Sequence, residues 1–406
     1  MPYPVEKVFG DVNVKSQSLL KGVGLNIVLL GIVSFINDAS SDMIWPVLPM
    51  FIVSIGGGGL AVGLIGGLGE SVSSVLKVFS GYWSDKIGKR KMLVASGYAI
   101  SSISKIIFPF VTDWTQLLIL KPAERIGKGI RTAPRDALIA DSAPQGRYGK
   151  SFGLHRALDT SGAILGSFLA FILVWFIRMP LRNVLLIAAV LGFVALIPLI
   201  FVRDVKGKVH SNSRLMFELS SLTKEFKIFL MIVTIFALGN FSYMFLILKA
   251  RGAFQMIFTE KMAEAIPILL YILFNLSYAA FSLPLGNLSD TIGKDKILFI
   301  GYLIFSLTCV GFVFSSTLYH FIILFLLYGL HRASVDAVQR ALASDLAANK
   351  FKGTSLGVFH TLIGLAALPS STIAGILWDI NPSLTFAFGA ATSIIAAVSL
   401  MLTLKP

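Results

Sequence analysis

Long apolar runs separated by short polar turns fill almost the whole chain. A helix of about 20 residues spans the roughly 30 Å hydrocarbon core of a bilayer. Twelve runs of that order can be drawn: 24–53, 60–82, 92–112, 115–140, 151–177, 183–202, 228–249, 264–286, 296–315, 318–343, 354–376 and 383–404. Lipid offers no partner for free backbone N–H and C=O groups, so spans of this kind predict helices and an all-α membrane protein. The one long polar stretch, about Arg203 to Lys227, separates six runs from six. It predicts a first six-helix bundle over residues 1–203, a linker over 204–227 and a second bundle over 228–406.

The polar turns themselves repeat. Gly81-Tyr-Trp-Ser-Asp85-Lys-Ile-Gly88-Lys-Arg90-Lys91 returns 205 residues later as Gly286-Asn-Leu-Ser-Asp290-Thr-Ile-Gly293-Lys-Asp295-Lys296. A second pair follows nearly the same offset: Asp141 and Asp345, like Gly153 and Gly357, lie 204 residues apart. Two related halves of six spans are the architecture of secondary transporters, whose substrate site lies between the halves near the bilayer midplane.

Composition narrows the class further. The 406 residues are 55% hydrophobic and only 14% charged, against about 25% charged in soluble domains. The net charge of +14 would suit nucleic acid, but its placement follows topology instead. Of 35 Lys and Arg residues, 20 fall on the side that carries both termini, five in the opposite loops (Arg178, Arg182, Lys249, Arg251, Lys261) and ten within the runs. That bias predicts a multi-pass protein with cytoplasmic termini and with the lipid bilayer, not nucleic acid, as its surroundings; the expected location is the plasma membrane of a prokaryote, with an organelle membrane of a eukaryote as the alternative. Cys309, the single cysteine, sits in an apolar run, so neither a disulfide framework nor a thiolate metal centre is expected. Gly149-Lys150-Ser151 imitates the end of a phosphate-binding loop, but Pro144 stands where its first glycine belongs. With no zinc-protease or nucleophile-elbow motif either, the chain predicts no enzyme, no cofactor and no bound metal.

Charges inside spans are costly and mark function by default. In the fourth run Glu124, Lys128, Arg131 and Arg135 form one helical stripe, with Arg125 and Asp136 beside it. A stripe this basic must face a water-filled cavity or partner acids. The first run supplies Asp38 and Asp42, and the second Glu70; a carboxylate that changes surroundings can carry a proton. Asp38 and Asp42 are therefore the coupling candidates. Glu70, Arg125, Lys128 and Arg131 complete the charged side of the expected cavity. Tyr243 and Asn275 represent a wall from the second half, where buried charge is sparser.

The loop over residues 81–90 matches the Gly-x-x-x-Asp-(Arg/Lys)-x-Gly-(Arg/Lys)-(Arg/Lys) signature between the second and third spans of the major facilitator superfamily. Arg125-Ile-Gly-Lys128-Gly129 is similar to that family's Arg-x-x-Gln-Gly element, with Lys for Gln. Gly153, Gly162 and Gly166 have the spacing of its antiporter element, with Ser167 in place of proline. On these residues the chain resembles the superfamily over essentially its full length. The resemblance implies that family's fold, two six-helix bundles related by a pseudo-two-fold axis. It also implies an inner gate in which Asp85 meets the start of the eleventh span near 353–354 and Arg90 pairs with Asp141. Gly81, Gly88, Arg135, Asp136, Arg156 and Asp159 join that gate, and Asp290 is its counterpart in the second half. Because the second copy has Thr291 and Asp295 where the first is basic, it is expected to serve mainly topology and packing.

The resulting expectation is a monomeric secondary transporter that works by alternating access: proton-coupled export of a small organic or drug-like compound. An organic or phosphorylated anion, a metal ion as in iron exporters, and a sensor that moves nothing are the alternatives.

Overall fold

A computed structural model describes residues 24–87, 89–144, 148–205, 222–347 and 352–403, without the side chains of Asp85, Ile87 and residues 352–354. Of the expected gate, Gly88 and the side chain of Asp85 thus lie outside the described residues, as does most of the expected linker. The described chain is helical: α1 (Leu25–Ser54), α2 (Gly59–Ile87), α3 (Arg90–Ile107), α4 (Trp114–Ser142), α5 (Tyr148–Trp175), α6 (Leu181–Val194), α7 (Leu196–Phe201), α8 (Lys224–Gly239), α9 (Met244–Gln255), α10 (Glu260–Ile292), α11 (Lys294–Phe314), α12 (Leu318–Leu346), α13 (Lys352–Ile380) and α14 (Pro382–Thr403).

Among the described residues, eleven stretches are long and apolar enough to cross a membrane, with α6–α7 and α8–α9 each forming one of them. The twelfth is α4, whose 29 residues match the length. Its interior charges set it apart in composition. Short caps fix several helix starts. Asp113 accepts a hydrogen bond from the backbone N–H of Thr115 (2.8 Å) at the head of α4, and these contacts hold its carboxyl below the usual range. Thr223 does the same for Phe226 (3.2 Å) at the head of α8. The turn between α10 and α11 passes through Gly293 at φ 110°, a left-handed conformation that glycine adopts without strain. This gives a physical reason for the second glycine of the repeated turn.

The two halves pack alike. In the first, α4 lies between α2 and α3, and α3 also touches α6; in the second, α12 lies between α10 and α11, and α11 touches α14. The turn ends repeat this symmetry: Arg90 pairs with Asp141, and Lys294 pairs with Asp345 (2.6 Å). The second copy therefore keeps a basic partner for its acid, one residue before Asp295. Arg90 and Lys294, like Asp141 and Asp345, lie 204 residues apart, whereas the repeated turns align at an offset of 205.

The halves meet mainly through α2 against α13 and α5 against α10. Small residues allow the first contact. A side chain at Gly67 would collide with the backbone of Ala367 and Leu368 (2.7 and 2.9 Å), so α2 and α13 approach nearly backbone to backbone. Gly162 and Gly166 likewise seat α5 on the α1 backbone at Phe35 and Ala39, whereas Gly153 faces open space. Two members of the glycine series thus pack helices within the first half.

The seventh span departs from the continuous 228–249 expected. It starts at Lys224, stops at Gly239 and resumes at Met244, with Asn240 at φ −84°, ψ 66°. Non-helical backbone at membrane depth is tolerated where it borders a polar cavity, and Asn240, Phe241, Ser242 and Tyr243 all do so. Four other helices that border this cavity, α1, α4, α10 and α13, contain interior prolines that interrupt the hydrogen-bond ladder.

Candidate functional site: a cavity between the two halves

A cavity of about 540 Å³ lies between the halves, within the size range of small-molecule sites. Its lining extends through Arg156 of α5 and Arg340 of α12 toward the side where α1 begins and α14 ends, the terminal side. On the opposite, distal side the halves are latched together. The Asp379 carboxylate of α13 accepts from the backbone N–H groups of Gly59 (2.6 Å) and Leu60 (2.8 Å) at the start of α2. Lys261 donates to the carbonyl of Arg178 (3.2 Å). Near mid-depth, Ser71 donates to Gly364 O (2.6 Å) and accepts from Leu368 N (3.1 Å). Among the described residues no hydrogen bond of this kind joins the halves toward the terminal side, where Gly153 and Gly357 meet nothing within 4 Å.

The stripe on α4 divides between two neighbours. Arg125 and Lys128 face the cavity. Arg125 is 2% exposed and binds Glu70 of α2 (2.6 Å), whose side chain is 48% exposed to the cavity. Its guanidinium also lies over the Trp45 ring, 4.1 Å from the centre, a favourable placement for a cation. Lys121 pairs with Glu124 (2.9 Å) and also approaches Trp45 (4.9 Å). Lys128 lines the cavity and lies 6.0 Å from the Trp45 ring centre. It makes no ion pair among the described residues.

Arg131, placed by sequence in the cavity, lies outside its lining. It is buried, donates to Ser101 Oγ of α3 (2.6 Å) and covers the Tyr98 ring at 4.4 Å. The reason is packing: α4 is covered by α2 on one side and α3 on the other, so three residues along the helix a side chain leaves the cavity for the α3 contact. Gly97 makes room for it, since a side chain there would meet Arg131 Cβ at 2.6 Å.

The two coupling candidates on α1 also separate. Asp42 lines the cavity and accepts from the Tyr271 hydroxyl of α10 (3.2 Å), across the two halves. Asp38, one turn earlier, is not part of the lining; its carboxyl faces Asp159 of α5 and accepts from Asn37 (3.1 Å). From the second half, Tyr243 donates to Trp45 O (3.2 Å), and Asn275 donates to Tyr271 O (3.0 Å); both line the cavity.

Of the gate candidates, Arg90 reaches Asp141 and also donates to Ala137 O (2.8 Å). Gly81 approaches Ala133 of α4. Arg135 binds Asp136 (3.2 Å), lies 3.7 Å from Asp159 and donates to Ser34 (3.0 Å). Arg156 pairs with Asp159 (3.2 Å), and Asp290 lies 3.8 Å from Lys294. Each of these contacts stays within one half, which accords with an open terminal side.

The comparisons with known proteins decide the family. The sequence model of the Major Facilitator Superfamily matches residues 30–262 and 253–406. An uncharacterized MFS-type transporter of Methanocaldococcus jannaschii is 47% identical over 378 residues, 93% of this chain and 94% of that protein. This chain belongs to the major facilitator superfamily. Solved members share its fold: a nucleoside transporter NupG variant superposes with a TM-score of 0.81 at 15% identity, covering 94% of this chain and 100% of that one. A bacterial homologue of the lysosomal transporter Spinster, inward-facing and occupied, gives 0.72 at 14% identity, with 93% and 96% covered. The quinolone resistance protein NorA of Staphylococcus aureus matches over a shorter stretch, 28% identical over 124 residues, 30% of this chain and 32% of that protein. The chain is thus a multi-pass membrane protein of a transporter superfamily.

Sequence reasoning missed the roles of Lys105 and Asp379 and the cavity position of Arg332 and Asp336. Lys105 of α3 is buried and donates to Ser40 (3.0 Å) and Ser41 (2.8 Å) of α1; its charge inside an apolar run was the available signal. Arg332 and Asp336 pair at 2.9 Å, as their spacing suggested, but they also line the cavity. Asp379 carried no sequence signal, because its partners are backbone groups more than 300 residues away.

Proposed function

We propose that this protein is a proton-coupled secondary transporter that exports a small organic solute across the plasma membrane by alternating access. Both termini are cytoplasmic in this reading, so the cavity faces the cytoplasm. The observation that carries it is Asp42: its carboxylate lines the cavity, while the hydroxyl that binds it belongs to the other half. Rocking the halves apart on the distal side would remove that donor. A hydrogen bond to the charged form favours it, so proton uptake and release at Asp42 follow the conformation. The proton enters from the distal side and leaves toward the cytoplasm when Tyr271 returns. Solute moves the opposite way.

Asp38 and Asp159 act as the relay behind Asp42, since a proton between two facing carboxylates relieves their repulsion. Arg90–Asp141, Arg135–Asp136 and Arg156–Asp159 brace the cytoplasmic ends of the first bundle, and Asp85 is assigned to close on α13 when that side shuts. The partial likeness to NorA supports export.

The test is proton movement in proteoliposomes loaded with a pH-sensitive dye and challenged with a panel of organic anions, cations and neutral compounds. Wild-type protein should show solute-evoked proton flux that is lost in Asp42→Asn and reduced in Asp38→Asn. Undiminished flux in both variants would sink the coupling assignment.

A further inference from the structure

We infer that the solute carried by this cavity is an organic anion with a flat apolar ring, its charge held by Lys128 and its ring by the aromatic wall that runs from Tyr243, in the break before α9, to Tyr271 and Phe274 of α10. The inference rests on the reading of this cavity as the transport site. Its first support is a charge imbalance. The lining holds six cations (Lys121, Arg125, Lys128, Arg156, Arg332 and Arg340) against three acids, Asp42, Glu70 and Asp336. Four of the cations are already engaged: Lys121 with Glu124, Arg125 with Glu70, Arg156 with Asp159 and Arg332 with Asp336. Lys128 and Arg340 have no ion pair among the described residues. Arg340 is exposed near the mouth, and Lys128 lies deep, beside Trp45. A basic entrance leading to an ammonium that makes no ion pair attracts an anion and repels a cation.

The second support is the shape of the wall. Trp45, Tyr243, Tyr271, Phe274 and Tyr328 follow one another with ring centres 5.2, 5.4, 5.6 and 5.0 Å apart. This continuous aromatic series crosses from the first half to the second. Rings at these separations favour offset or edge contacts with a further ring. The face beside Lys128 is Trp45, already covered by Arg125, and the next ring in the series is Tyr243, which lines the cavity. A flat solute on Tyr243 would therefore present an acidic substituent to Lys128. An organic cation would instead need a free acid in the same place. Of the two acids that the first half brings to the cavity, Glu70 is held by Arg125 and Asp42 by the Tyr271 hydroxyl.

The experiment is equilibrium dialysis of the purified full-length protein with 2-naphthalenesulfonate, 1-butanesulfonate and 2-naphthylmethylammonium. The naphthalenesulfonate should bind at least about tenfold more tightly than either of the others, the loss expected when a charged contact or the ring is missing. Its affinity should fall with added salt, drop about tenfold or more in Lys128→Gln, and survive in Lys128→Arg. The salt dependence and the comparison of probes use wild-type protein alone, so they hold even if a variant is poorly folded. Equal or tighter binding of the ammonium compound, unchanged affinity in a folded Lys128→Gln, or no sulfonate binding up to roughly millimolar concentration would overturn the assignment. Sulfonate binding without proton-linked flux would leave the assignment standing and remove the transport reading. Proton-linked flux of another solute, with no sulfonate binding, would do the reverse.

Discussion

The latch at Asp379 offers a direct test of how the distal side is held shut. Its carboxylate accepts hydrogen bonds from Gly59 N–H (2.6 Å) and Leu60 N–H (2.8 Å). These are orphan donors at the first turn of α2, where the helix dipole also favours negative charge. Because α2 and α13 belong to different halves, the bonds exist only while the distal side is closed. Asp379→Ala therefore destabilises one conformation and not the other. A buried carboxylate with two such bonds would contribute several kcal/mol, but Asp379 is solvent-exposed. The appropriate scale is that of a helix cap, about 1 kcal/mol, which shifts the ratio of closed to open distal states roughly fivefold. Asp379→Asn keeps an acceptor and should fall between Ala and wild type. The assay is electron–electron distance measurement between spin labels at Thr112→Cys and Ser316→Cys, in a Cys309→Ser background. These positions are exposed on the distal ends of opposite halves. The long-distance population should rise about fivefold in Asp379→Ala. A distribution unchanged from the wild type would refute the latch.

Other expectations follow from the same geometry. Gly67→Val places a side chain against the α13 backbone and should hold the distal side open with loss of transport, whereas Gly153→Ala, in open space, should leave transport near wild type; the same spin-label pair reports both. Arg125→Gln leaves Glu70 and Glu124 short of a cation and should lower the apparent melting temperature in detergent more than Glu70→Gln, because Arg125 is buried and Glu70 is half-exposed; equal losses would contradict the pairing. Arg90→Met should reduce transport more than Lys294→Met, since the first pair is 8% and 26% exposed and the second 23% and 55%; a reversed order would show that burial does not rank the two copies.

The spans and the two halves were legible because lipid demands long apolar helices, and because the repeated turns preserve glycine and aspartate. The fourth span stood out for the opposite reason: its charges have no place against lipid. What each charge faces was not legible. Arg131 and Lys128 differ by three positions on one helix, yet one meets α3 and the other the cavity, a choice fixed by which neighbours cover α4. The break at Asn240 escaped notice since its apolar flanks read as one run. Lys294 stands out as the counterpart of Arg90 only in the structure, since the repeated turns align one residue away from that match. Asp379 binds backbone N–H groups, which carry no side-chain identity to read.

The central claim is that one cavity is exposed alternately to the two sides. Asn275→Cys in the Cys309→Ser background places a thiol in that cavity, and its modification by a membrane-impermeant reagent can be timed from either side of sealed vesicles. The account predicts rapid labelling from the side of the termini in otherwise wild-type protein. With Asp379→Ala added, labelling from the distal side should rise as terminal-side labelling slows. Access from both sides at once, or from the terminal side alone whatever the state of the latch, would contradict it.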